Sequence, residues 1–225
     1  MTRLILALVL TALSLSSAPA PAEEWRAIPA PTTSIVETGP QTAVFAGGCF
    51  WGVQGVYQHT RGVISATSGY AGGEAGTAHY ERVSRGDTGH AESVQVVYDP
   101  AQVSYGALMQ IFFSVVHDPT ELNRQGPDVG PQYRSVIFPQ TPAQEESARA
   151  YIGELNRARV FPAAIVTQIE ENAPFYPAEA YHQNFLARHP THPYIVQEDL
   201  PKIDALARLL PSAFRADPVL LPLTN

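Results

Sequence analysis

Hydrophobic positions along the chain switch between a period of two and a period of three to four, which is typical of alternating strands and helices. Strands are predicted where apolar residues alternate or run up to a glycine or proline, and helices where they recur after a capping residue. The predicted strands cover residues 42–46, 63–68, 92–98, 133–138 and 163–169; the predicted helices cover 50–59 and 178–188, and two more begin at Ser104 and Thr141.

The first six predicted elements follow the order β-α-β-β-α-β, and a further helix and strand come after them. This order is typical of the split βαβ, ferredoxin-like arrangement, in which two helices cover one face of a sheet. The sequence therefore predicts an α+β fold, a two-layer α/β sandwich with a ferredoxin-like core.

Four segments are expected from the changes in composition. Residues 1–22 resemble a signal peptide, residues 23–41 form an extended arm without an apolar period, residues 42–200 form the folded domain, and residues 201–225 form a C-terminal helix and tail. The leader has a basic start at Arg3, an apolar run over 4–15 and small residues up to Ala22. An uncleaved anchor is the alternative, but the run is short of the roughly 20 residues that span a bilayer.

The charge of the chain argues against two classes of binding partner. The formal net charge is −7, and no cluster of lysines and arginines is present. Neither nucleic acid nor a stable association with a membrane is therefore expected. The leader predicts a periplasmic or secreted protein, and the chain is expected to act as a monomer.

Cys49 is the single cysteine among the 225 residues. It follows the pair Gly47-Gly48 where a predicted strand passes into a helix, and it precedes two large aromatic residues, Phe50 and Trp51. A helix N-terminus favours a thiolate over a thiol. One cysteine excludes a disulfide within these residues, so a nucleophile, a peroxide-type sensor or a thiol that pairs with another chain remain.

Glu92 opens a predicted strand on the same face as Val94 and Val96, so its carboxyl is expected to point into apolar surroundings. Burial raises the pKa of a carboxyl and makes it a proton donor near neutral pH. A surface glutamate at a fraying strand end is the alternative. A cysteine hydrolase would instead need an imidazole near the thiol, for which His90 and His182 are candidates.

Six short motifs occur in order between about Thr42 and Pro193, and together they closely resemble the A-type peptide methionine sulfoxide reductases. This resemblance implies reduction of the S epimer of methionine sulfoxide in oxidised proteins or peptides. GGCFWG followed by TGHAE about 40 residues later is a very specific pair. The motifs are GGCFWG (47–52), GYAGG (69–73), TGHAE (88–92), VYDP (97–100), QYRS (132–135) and YHQ (181–183).

The resemblance also implies a role for each matching residue. Cys49 would attack the sulfoxide sulfur, and Glu92 would protonate its oxygen. Tyr80 and Tyr133 would donate hydrogen bonds to that oxygen, a pattern that stabilises developing charge. The remaining implied site residues are Phe50 and Trp51, which would hold the methyl group, and Asp128, which would shape the site between Pro127 and Pro131.

Many relatives close a disulfide onto the catalytic cysteine with a further cysteine, which these 225 residues lack. After methionine leaves, Cys49 would remain a sulfenic acid. We expect an external thiol to resolve it, supplied by a thioredoxin-like or glutaredoxin-like protein or by a small thiol. No bound cofactor is expected, and His189 with His192 is too small a group for a metal site. An exported cysteine hydrolase and a sulfenic-acid redox sensor are the alternative functions.

The predicted signal peptide can be tested at the N-terminus of the mature protein. If the leader is cleaved, the mature protein in a periplasmic fraction begins near Pro21 or Glu23, because the small residues there suit a signal peptidase. N-terminal sequencing of the fractionated protein checks this. Recovery of a chain that still begins at Met1, in the membrane pellet, would contradict it.

Overall fold

The structure, a computed structural model, describes residues 25–222; the predicted signal peptide lies outside them. The regular elements carry the following bounds. The strands are β1 Gln41–Ala46, β2 Val63–Ala71, β3 Ala91–Tyr98, β4 Arg124–Gln125, β5 Asp128–Val129, β6 Val136–Phe138, β7 Gln168–Ile169 and β8 Phe175–Pro177; the helices are α1 Phe50–Gln58, α2 Tyr80–Val83, α3 Tyr105–Ile111, α4 Pro142–Arg157, α5 Phe185–Arg188 and α6 Leu200–Leu209.

Six strands form one sheet in the order β7-β6-β1-β3-β2-β8, and β4 and β5 form a separate hairpin. The pairs β6–β1, β1–β3 and β3–β2 are antiparallel. The order β6-β1-β3-β2 is the one that a ferredoxin-like β-α-β-β-α-β unit produces, since β3 inserts between the two strands that α1 connects. The predicted α+β fold is confirmed.

The helices lie on one face of the sheet. Ala43 and Phe45 of β1 belong to a large apolar core shared with α1, α3, α4 and α6, whereas Val44 and Ala46 belong to a small cluster on the opposite face. Phe45 lies at the centre of the large core, with ring centroids 5.3 Å from Tyr57 and 5.1 Å from Phe112. Alternation along a single strand thus divides the molecule into its two layers.

Both predicted helix starts are present. Ser104 Oγ accepts a hydrogen bond from Ala107 N at 3.1 Å, and Thr141 Oγ1 accepts one from Gln144 N at 3.2 Å. Gln144 Oε1 in turn accepts from Gln140 N, one residue before the cap. The reciprocal half of the capping box is therefore displaced by one residue from the usual pattern.

Four predicted elements differ from the structure. β2 continues to Ala71, three residues beyond its predicted end, because it pairs with β3 and β8 along that stretch. Tyr133 lies in a 3₁₀ turn before β6, and the strand predicted over 163–169 shrinks to β7. The predicted helix over 178–188 is interrupted, since Gln183 is extended (φ −72°, ψ 139°) and Asn184 is left-handed (φ 55°).

The chain before β1 packs along the helical layer. Ile28 is buried, and its carbonyl accepts a hydrogen bond from Gln110 at 2.6 Å. Tyr151 donates to the Pro29 carbonyl at 2.6 Å. The arm therefore packs against α3 and α4.

The side chain of Gln183 hydrogen-bonds to the backbone of β2 at Ser68. Its Oε1 accepts from Ser68 N at 3.0 Å and from Gln54 at 2.9 Å, and its Nε2 donates to Ser68 O at 2.9 Å and to Ala178 O at 3.0 Å. The carboxamide thereby satisfies the backbone of Ser68 as a neighbouring strand would. This buried contact ties the last third of the domain to α1 and β2.

We expect Gln183→Leu to lower the free energy of unfolding by about 2 kcal/mol, because the buried Ser68 N–H loses its acceptor. Urea unfolding followed by circular dichroism measures this. Gln197→Leu, at an exposed position, is the matched control and should change stability by less than about 0.5 kcal/mol. Equal stability of the two variants would show that the carboxamide is dispensable.

Candidate active site

Cys49 lies at the junction of β1 and α1, where it occupies the N-cap position of the helix. Gly48 before it has φ +92°, a left-handed conformation that glycine adopts without strain. A Cβ at Gly48 would also lie 2.7 Å from the side chain of Gln125. Two glycines therefore allow the chain to turn tightly and hold the thiol, 9% exposed, against the protein.

Glu92 lies on β3 beside this junction and is 2% exposed. Its Oε2 accepts a hydrogen bond from Phe50 N, in the first turn of α1, at 3.0 Å. Burial raises the pKa of Glu92 to about 8, with help from Asp128 and Asp199 and against the lowering effect of the Phe50 hydrogen bond. The carboxyl is therefore largely protonated at neutral pH and can donate a proton.

The pKa of the Cys49 thiol is raised well above its ordinary value, first by burial and then by the negative charges of Glu92 and Asp199. The Trp51 N–H acts in the opposite direction but is outweighed. The helix N-terminus favours the thiolate through the Trp51 N–H, but desolvation and like charge exceed this effect. The resting sulfur is a neutral thiol.

Tyr80 begins α2, and Tyr133 ends the turn Pro131–Tyr133. Burial raises the pKa of both phenols, and the charge of Glu92 is the next cause in each case. Cys49 also raises both, which locates the two phenols around the thiol and the carboxyl. Both remain protonated and able to donate hydrogen bonds.

Phe50 and Trp51 form an aromatic wall next to the thiol. Phe50 is buried, with its ring centroid 4.9 Å from that of His182. Trp51 stacks on Phe185 at 3.7 Å and donates its indole N–H to His182 Nδ1 at 3.1 Å. The two rings are therefore held in fixed orientations, as a binding surface for a small apolar group requires.

Glu179 fixes Tyr80 from outside the site. Its carboxylate accepts hydrogen bonds from Tyr70 Oη at 2.9 Å and from Tyr80 N at 2.9 Å. Sequence reasoning did not identify Glu179, because neither the periodicity nor the matched motifs include it.

Asp128 lies on β5 and accepts a hydrogen bond from the Tyr194 hydroxyl, while burial raises its pKa. It borders a narrow cleft of about 10 Å³, room for about one water molecule, that reaches Cys49. Sequence reasoning missed Tyr194 in this group. The cleft is lined by Cys49, Gln125, Gly126, Pro127, Asp128, Tyr194, Glu198 and Lys202.

Asp199 and Lys202 form a buried ion pair beside α1, with Nζ and Oδ1 3.4 Å apart. A Cβ at Gly52 would lie 2.1 Å from Asp199 Oδ1, so the first turn of α1 accepts this pair only because residue 52 is glycine. Burial raises the pKa of Asp199 to about 6, against the lowering effect of Lys202. Both residues lie about 150 positions from Cys49 in sequence, and neither belongs to one of the six motifs, so the sequence did not predict that they lie near the thiol.

The two histidines considered for a hydrolase have other partners. His182 accepts from Trp51, and His90 Nε2 contacts the Glu74 carbonyl at 3.0 Å. Among the described residues, neither imidazole is hydrogen-bonded to Cys49, so the dyad that an acyl-transferring cysteine needs is not formed. In the same part of the chain, no group of three or more His, Cys, Asp or Glu residues could hold a metal, and no helix is long and apolar enough to cross a membrane.

Comparison with known proteins agrees with this geometry. The family model for peptide methionine sulfoxide reductase matches residues 41–210. The chain belongs to this family. The predicted family and its enzyme class, an oxidoreductase, are confirmed, and the hydrolase and sensor alternatives are not favoured.

Two sequence relatives and one solved structure show how similar this chain is to other members of the family. The peptide methionine sulfoxide reductase MsrA 2 of Mesorhizobium japonicum is 56% identical over 183 residues, which cover 81% of this chain and 94% of that protein. MsrA 2 of Synechocystis is 55% identical over 170 residues, covering 76% and 79%. The solved methionine sulfoxide reductase A of Corynebacterium diphtheriae is 34% identical with a TM-score of 0.60, covering 69% of this chain and 78% of that one.

The electrostatics of this reductase predict the ionisation of its thiol. We expect Glu92→Gln to shift the ionisation of Cys49 to lower pH, because the amide cannot carry the charge that opposes the thiolate. The rate of alkylation by iodoacetamide against pH measures this, and it reports Cys49 alone because the chain has one cysteine.

Glu81→Gln, an exposed change on α2, is the control and should leave the profile in place. A profile that stays in place, or moves to higher pH, in Glu92→Gln would show that the carboxyl does not act on the sulfur.

Proposed function

We propose that the chain reduces the S epimer of methionine sulfoxide in oxidised proteins or peptides to methionine, with Cys49 as nucleophile. The observation that carries this is the contact between Glu92 and the first turn of α1, which keeps a protonated carboxyl next to a thiol. A sulfoxide has a weakly basic oxygen that needs a proton and a sulfur that accepts a soft nucleophile. The two groups match these two atoms.

In the first half-reaction, Cys49 Sγ forms a bond to the sulfoxide sulfur while Glu92 protonates the oxygen. Tyr80 and Tyr133 donate hydrogen bonds to that oxygen as its charge develops. The hydroxyl oxygen then passes to Cys49: the Sγ–O bond forms while the S–O bond of the substrate and the bond between the two sulfurs break, so that methionine leaves and Cys49 is a sulfenic acid. The thiol gives up one proton and Glu92 regains it, so the step neither consumes nor releases protons.

Selection between sulfoxide epimers follows from two fixed surfaces. Phe50 and Trp51 supply an apolar wall for the methyl group, and Glu92 with the two phenols supplies donors for the oxygen. The sulfoxide sulfur carries a methyl group, an oxygen and a lone pair. If the methyl group contacts the aromatic wall and the oxygen contacts the donors, only one of the two epimers leaves its sulfur accessible to Cys49. Asp128, held by Tyr194, supports the position of the loop that faces this pocket.

In the second half-reaction, an external thiol restores Cys49. With one cysteine among the 225 residues, the sulfenic acid has no partner within them. Two thiols are consumed: the first forms a mixed disulfide and water, and the second releases the Cys49 thiol and the disulfide of the reductant. A thioredoxin-like or glutaredoxin-like protein or a small thiol fits this stoichiometry, and no bound cofactor takes part.

The proposed setting of the reaction is the periplasm or the exterior of the cell, where the chain acts as a monomer. The apolar run over 4–15, with its basic start at Arg3, supports export. Protein repair under oxidative stress is the corresponding role.

The proposal predicts the outcome of a single turnover without reductant. Wild-type protein mixed with excess dabsyl-methionine (S)-sulfoxide should form one equivalent of methionine and a sulfenic acid that dimedone labels, whereas the R epimer should give none. Cys49→Ser should form no methionine, and Glu92→Gln should slow its formation about 10²-fold or more, the usual effect of losing general acid catalysis. Chromatography of the quenched products measures this.

Glu81→Gln is the matched control for the acid and should react at the wild-type rate. Methionine formation by Cys49→Ser would overturn the proposal, and a wild-type rate in Glu92→Gln would assign the proton to another group. A disulfide-linked dimer in place of the dimedone adduct would contradict the monomeric scheme.

A further inference from the structure

Tyr80 receives little support from its own helix. The helix α2 covers only Tyr80–Val83, a single turn, and a helix of this length is not stable in isolation. His79, at the N-cap position, makes no side-chain hydrogen bond to the turn. The first N–H groups of a helix need acceptors from outside it. The position of the Tyr80 phenol therefore depends on contacts with other elements.

Glu179, which lies 99 residues further along the chain, supplies the acceptor for Tyr80 N. Its Oε1 accepts that hydrogen bond at 2.9 Å, and its Oε2 accepts one from Tyr70 Oη at 2.9 Å. Burial acts to raise the pKa of Glu179, but the hydrogen bonds from Tyr80 N, from its own N–H and from Tyr70 lower it below its usual value. The carboxyl is therefore charged at neutral pH, and a charged acceptor makes a stronger hydrogen bond than a neutral one.

The turn that follows Glu179 contacts the ring of Tyr80. Glu179 is the N-cap of the 3₁₀ turn Ala180–His182, and its carbonyl accepts a hydrogen bond from His182 N at 3.0 Å. The ring centroid of His182 lies 4.6 Å from that of Tyr80. One short turn thus holds the backbone of Tyr80 through Glu179 and the phenol ring through His182.

We propose that Glu179 is a positioning residue for sulfoxide reduction, and that its hydrogen bond to Tyr80 N keeps the Tyr80 phenol directed at the substrate oxygen. The inference rests on the proposed function, in which this phenol donates a hydrogen bond to that oxygen. Glu92 stays the proton donor, and Glu179 exchanges no proton with the substrate. Loss of Glu179 therefore lowers the rate only through Tyr80.

The size of the effect follows from the role of the phenol. Removing one donor that is aimed at a developing charge typically costs about 10²–10³-fold in rate. Loss of Glu179 leaves the phenol present but less well directed, so its cost is smaller. We expect Glu179→Ala to slow the first half-reaction about tenfold, and Tyr80→Phe to slow it at least as much.

The test is a double-mutant cycle on the first half-reaction. Methionine formation from dabsyl-methionine (S)-sulfoxide is followed in a single turnover for the wild type, Glu179→Ala, Tyr80→Phe and the double variant. In the Tyr80→Phe background, Glu179→Ala should slow the reaction by less than about twofold further, because the phenol through which Glu179 acts is gone. A role in general packing predicts the same fold-reduction in both backgrounds.

Two control variants separate the bond to Tyr80 N from the rest of the Glu179 environment. Glu179→Gln keeps an oxygen that can accept from Tyr80 N, so it should restore the rate to within about threefold of the wild type. Tyr70→Phe removes the other hydrogen bond to the same carboxylate and leaves the one from Tyr80 N. It should also react within about threefold of the wild-type rate.

The proposal is overturned if Glu179→Ala reacts at the wild-type rate, or if it slows both backgrounds equally. Far-UV circular dichroism checks that the variants are folded. If Glu179→Ala unfolds, Glu179→Asp takes its place in the cycle with the same expected pattern, because its shorter side chain withdraws the acceptor from Tyr80 N. A wild-type protein that forms no methionine would instead contradict the proposed function itself.

Discussion

The hydrogen bond from Phe50 N to the Glu92 carboxyl, 3.0 Å long, is the contact on which the site depends. It joins the first turn of α1 to β3, and Cys49 immediately precedes Phe50. A carboxyl at a helix N-terminus is ordinarily stabilised in its charged form. Here burial outweighs that effect and raises the pKa of Glu92 to about 8, so a contact that holds helix to sheet also creates a proton donor.

The charges around Cys49 disfavour the thiolate. Glu92, Asp199 and Asp128 all raise the pKa of the thiol, and burial raises it further. A neutral resting thiol is less prone to unwanted oxidation, since the thiolate is the reactive form. When the oxygen of a bound sulfoxide takes the proton of Glu92, the electrophilic sulfur of the substrate lies against Cys49 Sγ. The thiol then loses its proton as it attacks, so it ionises only when a substrate is present.

The sequence predicts the parts of the site that follow from local pattern. Alternation along 92–98 orients Glu92 toward the core, and Gly47-Gly48 places Cys49 where strand meets helix. The roles of Tyr80, Tyr133 and Asp128 came from the family resemblance alone, since a tyrosine in a turn has no periodic signature. Residues brought in by distant elements, such as Asp199 and Lys202, could not be predicted, because only tertiary packing sets their distance from Cys49.

Segment 179–183 shows why a correct local pattern still predicted the wrong element. Its apolar and polar spacing suits a helix, but Gln183 is extended, and its carboxamide bonds to the backbone of Ser68. In the same segment, the Glu179 carboxylate accepts a hydrogen bond from Tyr80 N, and His182 Nδ1 accepts one from the Trp51 indole N–H. Tertiary hydrogen bonds to three elements thus replace those within a helix, and the irregular backbone lets one short segment hold both the phenol of Tyr80 and the aromatic wall in place.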